Sequence, residues 1–186
     1  LGSTGPVSLD VLGVARKVLP DVQAEAYPEQ PIAVHGGAAV IENGTAFEIT
    51  GPTDAPHNLG PADHLFPATT PDLVGVYRAG TNGQPGTAEM VAVTDTVSSQ
   101  SPVTLPAGWL PFAQASSGFV LGQGQGNNVL IELWQPGAPA GTQPRQWGPA
   151  RSIVDVSGNE MAWLDATGCD PQGECPLHIT NLSTGV

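Results

Sequence analysis

Residues 128–137 read NVLIELWQPG, an apolar, β-branched and aromatic run held between asparagine and a Pro-Gly turn signal. A run of that length and composition, bounded by turn residues, reads as a β-strand. The same cadence returns as TAFEIT (45–50), AEMVAVTD (88–95) and CPLHITNLSTG (175–185), so that the starts lie roughly 43, 40 and 47 residues apart. Ahead of each comes a shorter strand after a small-residue turn: GGAAVIE (36–42), TPDLVGVY (70–77), SSGFVLG (116–122) and SGNEMAWLD (157–165). In three sets another strand precedes it: HLFPAT (64–69), WLPFAQ (109–114) and SIVDV (152–156). The pattern predicts strands at 31–35, 38–42, 45–50, 64–68, 73–78, 88–95, 102–105, 109–114, 118–122, 129–135, 145–147, 152–156, 160–165 and 176–182.

So many short strands exclude an α/β reading. A unit of about four strands recurring every 40 or so residues is the pattern of propeller blades. One such meander has two faces to cover and cannot cover them alone, so neighbouring units share a core. The expected fold is therefore all-β and β-propeller-like, with about four blades of four antiparallel strands. The blades fall near 29–61, 62–106, 107–148 and 149–186, and a portion of a larger propeller is favoured over a four-bladed ring. A β-sandwich is the alternative. Residues 1–28 stand apart: SLDVLGVARKVLP (8–20) suits either a short helix or a strand that closes the ring. The opening LGSTGPVSLD reads as the interior of a longer precursor, from which a signal or anchor has been removed, or as an artificial boundary.

Charge narrows the partners. Five Lys and Arg against seventeen Asp and Glu give a formal net charge of −12, and Lys17 is the single lysine. Such a field repels phosphate backbones and anionic lipid heads, and no basic patch offsets it, so nucleic acid and membrane-surface attachment are disfavoured. No apolar run reaches the roughly 18 residues of a membrane-spanning helix, so no direct membrane insertion is expected. The 24 Gly and 19 Pro punctuate regular apolar runs and so act as turn residues.

The last set, SIVDVSGNEMAWLDATGCDPQGECPLHITNLSTG (152–185), resembles blades of TolB-like and WD40-like propellers, in which a turn precedes an apolar strand and the next strand leads into D-x-x-T-G. With HLFPATTPDLVGVY (64–77) and LPAGWLPFAQASSGFVLG (105–122), it is similar to uncharacterised extracytoplasmic proteins of high-GC actinobacteria over about residues 62–186. Ser157-Gly158-Asn159 stands where the TolB-like turn has Asp-Gly, and the Gly-His and Trp-Asp dipeptides of WD40 blades are missing. The resemblance implies a propeller and says almost nothing about activity.

Candidate chemistry is sparse. Cys169 and Cys175 are the two cysteines, six apart, with neither CxxC spacing nor the four ligands of a zinc site. They face across a predicted hairpin, which favours a disulfide, an oxidising compartment and a stabilisation of about 2 kcal/mol. TDAPHNLGPADH (53–64) clusters Asp54, His57, Asp63 and His64, weak candidates for a metal, in what reads as a polar surface loop between blades. Asp165, Asp170 and Glu174 lack calcium-loop spacing. GQGQGNN (122–128) leads into a strand rather than a helix, so it is a hairpin turn and not a phosphate loop. No G-x-S-x-G elbow occurs, and the serines of QASSGF (114–119) fall in a turn. His35 and His178 are scattered, with His178 in a strand between Leu177 and Ile179. Trp109, Trp134, Trp147 and Trp163 are expected mainly in the core, with a sugar-stacking platform or an interface as the alternative, and the sequons at Asn43 and Asn181 matter only in a eukaryotic secretory pathway.

No catalytic residue and no cofactor emerges from the sequence. The expected function is a non-enzymatic extracytoplasmic module that binds or scaffolds a protein or glycan partner. The alternative is a carbohydrate-active propeller hydrolase or lyase with acids in the inter-blade loops. Two acids converging in one pocket would separate them.

Overall fold

The computed structural model describes residues 31–51, 53–82, 84–124, 129–139 and 142–186, together with the backbone of residues 8–11 and 14–18. Every described element is a strand, and all pairing is antiparallel. Strands β1 (Ser8–Val11) and β2 (Val14–Val18) pair with each other as a separate two-stranded sheet, so residues 8–18 take the strand reading rather than the helical one. The expectations for residues 1–7, 12–13 and 19–28, and for the tip of GQGQGNN at 125–128, lie outside the described residues.

The chain divides into two units, residues 1–80 with 87–102, and residues 81–86 with 103–186. In the first, β3 (Ile32–Val34), β4 (Gly37–Glu42), β5 (Thr45–Ile49) and β6 (His57–Pro61) form a four-stranded meander in chain order. Asn43 and Gly44 link β4 to β5 with φ of 50° and 73°. Positive φ at both turn positions is what a tight hairpin's twist requires, and Asn-Gly meets it with little strain. A second sheet contains β7 (His64–Pro67), β8 (Leu73–Arg78) and β9 (Thr87–Ala92), and the two-residue β10 (Val103–Thr104) opens the second unit.

The two sheets share a core of small and β-branched side chains. Val34, Ala39, Ala46, Leu59, Leu65, Val74, Val76 and Val93 are buried together. Gly75 faces Phe66 across β7 and β8, and the fully buried Phe66 ring occupies the space that a side chain at 75 would take. An aromatic ring over a cross-strand glycine covers backbone that glycine would otherwise leave bare.

After β10 the second unit forms one six-stranded sheet in chain order, β11 (Leu110–Ala115), β12 (Gly118–Gln123), β13 (Val129–Trp134), β14 (Arg145–Ser157), β15 (Glu160–Asp165) and β16 (Leu177–Asn181). The sheet curls as a half-barrel, bringing β11 towards β14. Its buried face carries Ala115, Val120, Ile131, Leu133, Ala150, Met161, Trp163 and Leu182. The Trp163 indole donates to Thr180 Oγ1 at 3.1 Å, which satisfies both polar atoms within the core.

Two elements differ from the sequence expectation. The segment read as a polar surface loop contains strand β6, whose Leu59 is buried while its neighbours face outward. Gly60, at φ 101°, donates its amide N–H to Asn58 Oδ1, and a register shift opposite Ala46 and Phe47 absorbs the irregularity. The segments 145–147 and 152–156, expected as two strands, are parts of one thirteen-residue strand, β14. Proline lacks the ladder N–H and belongs at bulges. Pro149 sits where the pairing slips between Val129 and Ile131, and further slips follow at 150–152 and 153–155. The bulges carry the strand past Gly148-Pro149 where sequence logic places a break.

Candidate binding surfaces

Strand β16 ends the six-stranded sheet, and hydrogen-bond parity decides what its free side offers. Asp165 N donates to Pro176 O at 2.9 Å and Leu182 N to Asn159 O at 2.7 Å, with the register Trp163 to His178 and Met161 to Thr180 between them. In an antiparallel ladder the inward and outward groups alternate. Hence 178, 180 and 182 direct their backbone groups at β15, and Leu177, Ile179 and Asn181 direct theirs outward. Asn181 is closed by its own turn, donating to Val186 O and accepting from Gly185 N, both at 2.7 Å. That leaves the outward N–H and C=O groups of Leu177 and Ile179 without partners among the described residues. Their side chains are 57% and 70% exposed.

The loop before this edge is braced. Cys169 and Cys175 form a disulfide, with Cα atoms 3.9 Å apart. Asp170 Oδ1 accepts the amides of Gln172 and Glu174 at 3.0 and 2.7 Å, and Arg151 Nη1 donates to Gly173 O at 2.6 Å. Asp165 Oδ1 accepts both the hydroxyl and the amide of Thr167, at 2.6 and 2.7 Å. These two bonds, with help from His178, hold its carboxyl below the usual aspartate value. His178 lies 3.4 Å from Asp165 and stacks on Trp163 with ring centroids 4.7 Å apart. Asp165 and Asp170 therefore serve the turn itself, and the disulfide suits a non-reducing environment.

The residues singled out for metal binding are engaged separately. Asp54 accepts from Thr50 Oγ1 at 3.1 Å, His57 meets the buried Glu48 at 3.3 Å, and Asp63 accepts from Ala79 N at 2.8 Å. His64 lies in β7 opposite Tyr77. Burial and then the nearby Asp63 push the Tyr77 hydroxyl up. Among the described residues no three His, Cys, Asp or Glu side chains come together as a metal site would need. His35 pairs with Asp72 at 3.4 Å. Ser116 and Ser117 form the two-residue turn between β11 and β12.

A cleft of about 650 Å3 opens in the second unit, where β13 and β14 meet the loop that joins them. Its lining includes Ser117, Glu132, Trp134, Gln143, Arg145 and Ser183. Alternation along β13 sends Ile131 and Leu133 into the core and Glu132 and Trp134 to the other face. Glu132 is only 5% exposed, and its Oε2 accepts from Gln146 Nε2 at 2.9 Å across the strand pair. Ser117 Oγ is buried with no partner among the described residues. Arg145 is held by a 2.7 Å bond from Nη1 to Leu182 O, and the Trp134 ring lies 6.0 Å from Phe119 at 41°. Sequence reading placed Trp134 in the core and left Glu132 unremarked. The one available signal was the alternation in VLIELW, which sets an acid and an indole on the same face.

Among the described residues no helix is long and apolar enough to cross a membrane. Compared with protein-family models, curated proteins and solved structures, the chain matches none.

Proposed function

We propose that the chain is a non-enzymatic binding or scaffold module working outside the cytoplasm, and that it captures a protein partner by strand addition to β16. The observation that carries this reading is the parity of the β16 edge. Two outward backbone positions are unsatisfied, and each belongs to an exposed large apolar residue. Edge strands of that kind are normally blunted by charge, proline or cover because they accept another chain's backbone. Leu177 and Ile179 carry none of those devices. The net charge of −12 disfavours self-pairing and favours an extended partner segment with basic residues.

We read the antiparallel meanders as propeller-like, and that reading fits the same role. The first unit supplies two successive antiparallel meanders, of four and three strands, with a shared core, the relation expected of neighbouring blades. In the six-stranded sheet, β14, β15 and β16 then correspond to three strands of one blade, with the β16 edge in the place of the fourth. The disulfide supports an extracytoplasmic setting. A hydrolase or lyase reading needs a facing pair of acids, and the cleft's lining contains one, Glu132.

The test is a displayed library of extended peptides selected against the chain, with the winners measured on Ile179→Pro. The Ile179 N–H points outward, so proline there removes a docking donor without removing a bond to β15. Enriched peptides with alternating apolar residues and basic flanks, bound at least tenfold more weakly by Ile179→Pro, are expected. Peptides that bind Ile179→Pro as well as the parent chain would overturn the edge as the site.

A further inference from the structure

The disulfide that braces the loop before β16 has unlike surroundings at its two sulfurs. Cys175 Sγ lies 3.3 Å from Nη1 of Arg151, and the same nitrogen donates to Gly173 O at 2.6 Å. The Gly173 carbonyl oxygen, 3.7 Å from Cys175 Sγ, is therefore already answered by the cation. At Cys169 Sγ the environment is reversed: the carbonyl oxygens of Asp165 and Ala166 lie 3.4 and 3.7 Å away. A guanidinium stabilises a thiolate, whereas carbonyl oxygens aimed at a sulfur oppose negative charge on it. When the S–S bond breaks, the charge settles on Cys175 rather than on Cys169. Both cysteines are half-buried, so the core does not seal the bridge from a reactant.

We infer that this bridge is a thiol-exchange site, at which an external thiolate attacks Cys169 Sγ and expels Cys175 as a thiolate beside Arg151. The attacking sulfur's electron pair forms the new S–S bond to Cys169, and the pair of the old S–S bond leaves on Cys175. The products are a mixed disulfide at Cys169 and a free Cys175 thiolate. A second external thiolate attacks the external sulfur of that mixed disulfide and releases Cys169 as a thiolate, so both electrons of the reduction come from the external thiols. Exchange is faster when the leaving thiolate is better stabilised, and that is what the guanidinium supplies. The surroundings also select the class of thiol. Asp165, Asp170 and Glu174 flank the bridge in sequence, on a chain of net charge −12, and repel a thiolate that carries further negative charge. The fitting reactant is a small thiol that bears a cationic amine.

The experiment treats the intact chain with cysteamine, 2-mercaptoethanol or glutathione at matched thiolate concentration and low salt. Early time points are quenched with acid, the free thiol is alkylated, and peptides are mapped by mass spectrometry. The first adduct is expected on Cys169, with Cys175 free. Rates corrected for thiol basicity should fall from cysteamine through 2-mercaptoethanol to glutathione. Arg151→Gln should slow exchange about threefold or more and even out the adduct between the two positions, and Arg151→Lys, which keeps the charge, should restore most of the rate. If Arg151 only braced the loop through Gly173 O, its loss would loosen the loop and speed exchange instead. An adduct chiefly on Cys175, exchange in Arg151→Gln as fast as in the parent or faster, or glutathione reacting as fast as cysteamine would overturn the assignment.

Discussion

Gly75→Ala probes how tightly the first unit is packed. An added Cβ would fall inside van der Waals contact with Cδ2, Cε2 and Cζ of Phe66, a ring with no exposed surface on the adjacent strand. Overpacking of this kind costs about 1–3 kcal/mol. Alanine returns about 0.4–1 kcal/mol by restricting the unfolded chain, because Gly75 does not need a positive φ. At the middle of both ranges the net loss is about 1.3 kcal/mol, which for a unit of this size lowers Tm by roughly 5–10 °C. Calorimetry with urea denaturation measures it, and a double-mutant cycle with Phe66→Leu isolates the cause. The smaller side chain should relieve the clash, giving a favourable coupling of at least about 0.5 kcal/mol. Gly36→Ala is the contrast: its Cβ meets nothing, but φ is 71°, so it loses about 1–2 kcal/mol through backbone strain with no coupling to Phe66. A neutral or stabilising Gly75→Ala, or strict additivity with Phe66→Leu, would refute the packing argument.

Three further outcomes are expected. Replacing Cys169 and Cys175 together by alanine removes a constraint on a short loop and should lower the second unit's stability by about 2 kcal/mol in denaturant titration, with the parent under reductant matching the variant. Trp163→Phe should cost about 1–3 kcal/mol by the same assay, because it strands the buried Thr180 hydroxyl that the indole now satisfies. Asp165 titrates below its ordinary value, so its contribution is present above that value and is lost as pH falls through the folded one. Asp165→Asn should flatten the acid limb of the Tm-versus-pH curve, and the NMR titration of the Asp165 carboxyl should shift towards the usual value in Thr167→Ala.

Most of the strand pattern was legible because the second and third strands of each set are apolar runs closed by Gly, Asn or Pro turns. Strands β8, β12, β13 and β15 lie within a residue of where those runs place them. What was not legible depends on contacts that no local pattern encodes. In β6, HNLGP has one buried apolar residue, and pairing with β5 rather than its own composition makes it a strand. In β14, Gly148 and Pro149 look like a stop, yet flanking ladders on both sides hold the chain extended through bulges. The disulfide was legible from spacing and turn chemistry alone. The open edge was half legible: the alternation in LHITN sets Leu177 and Ile179 together, but only the register decides that their backbone groups point away from β15. The cleft was not legible, since Ser117, Glu132 and Gln143 come from separate turns and strands that meet only in the folded unit.

The open β16 edge is tested most directly by amide hydrogen exchange along residues 177–181, read by NMR. In the free chain, Leu177 and Ile179 should exchange far faster than His178 and Thr180, whose amides are held by β15. Addition of a selected peptide should slow Leu177 and Ile179 and leave the other two unchanged. Equal protection of all four amides in the free chain, or a bound peptide that leaves Leu177 and Ile179 fast, would contradict strand addition at this edge.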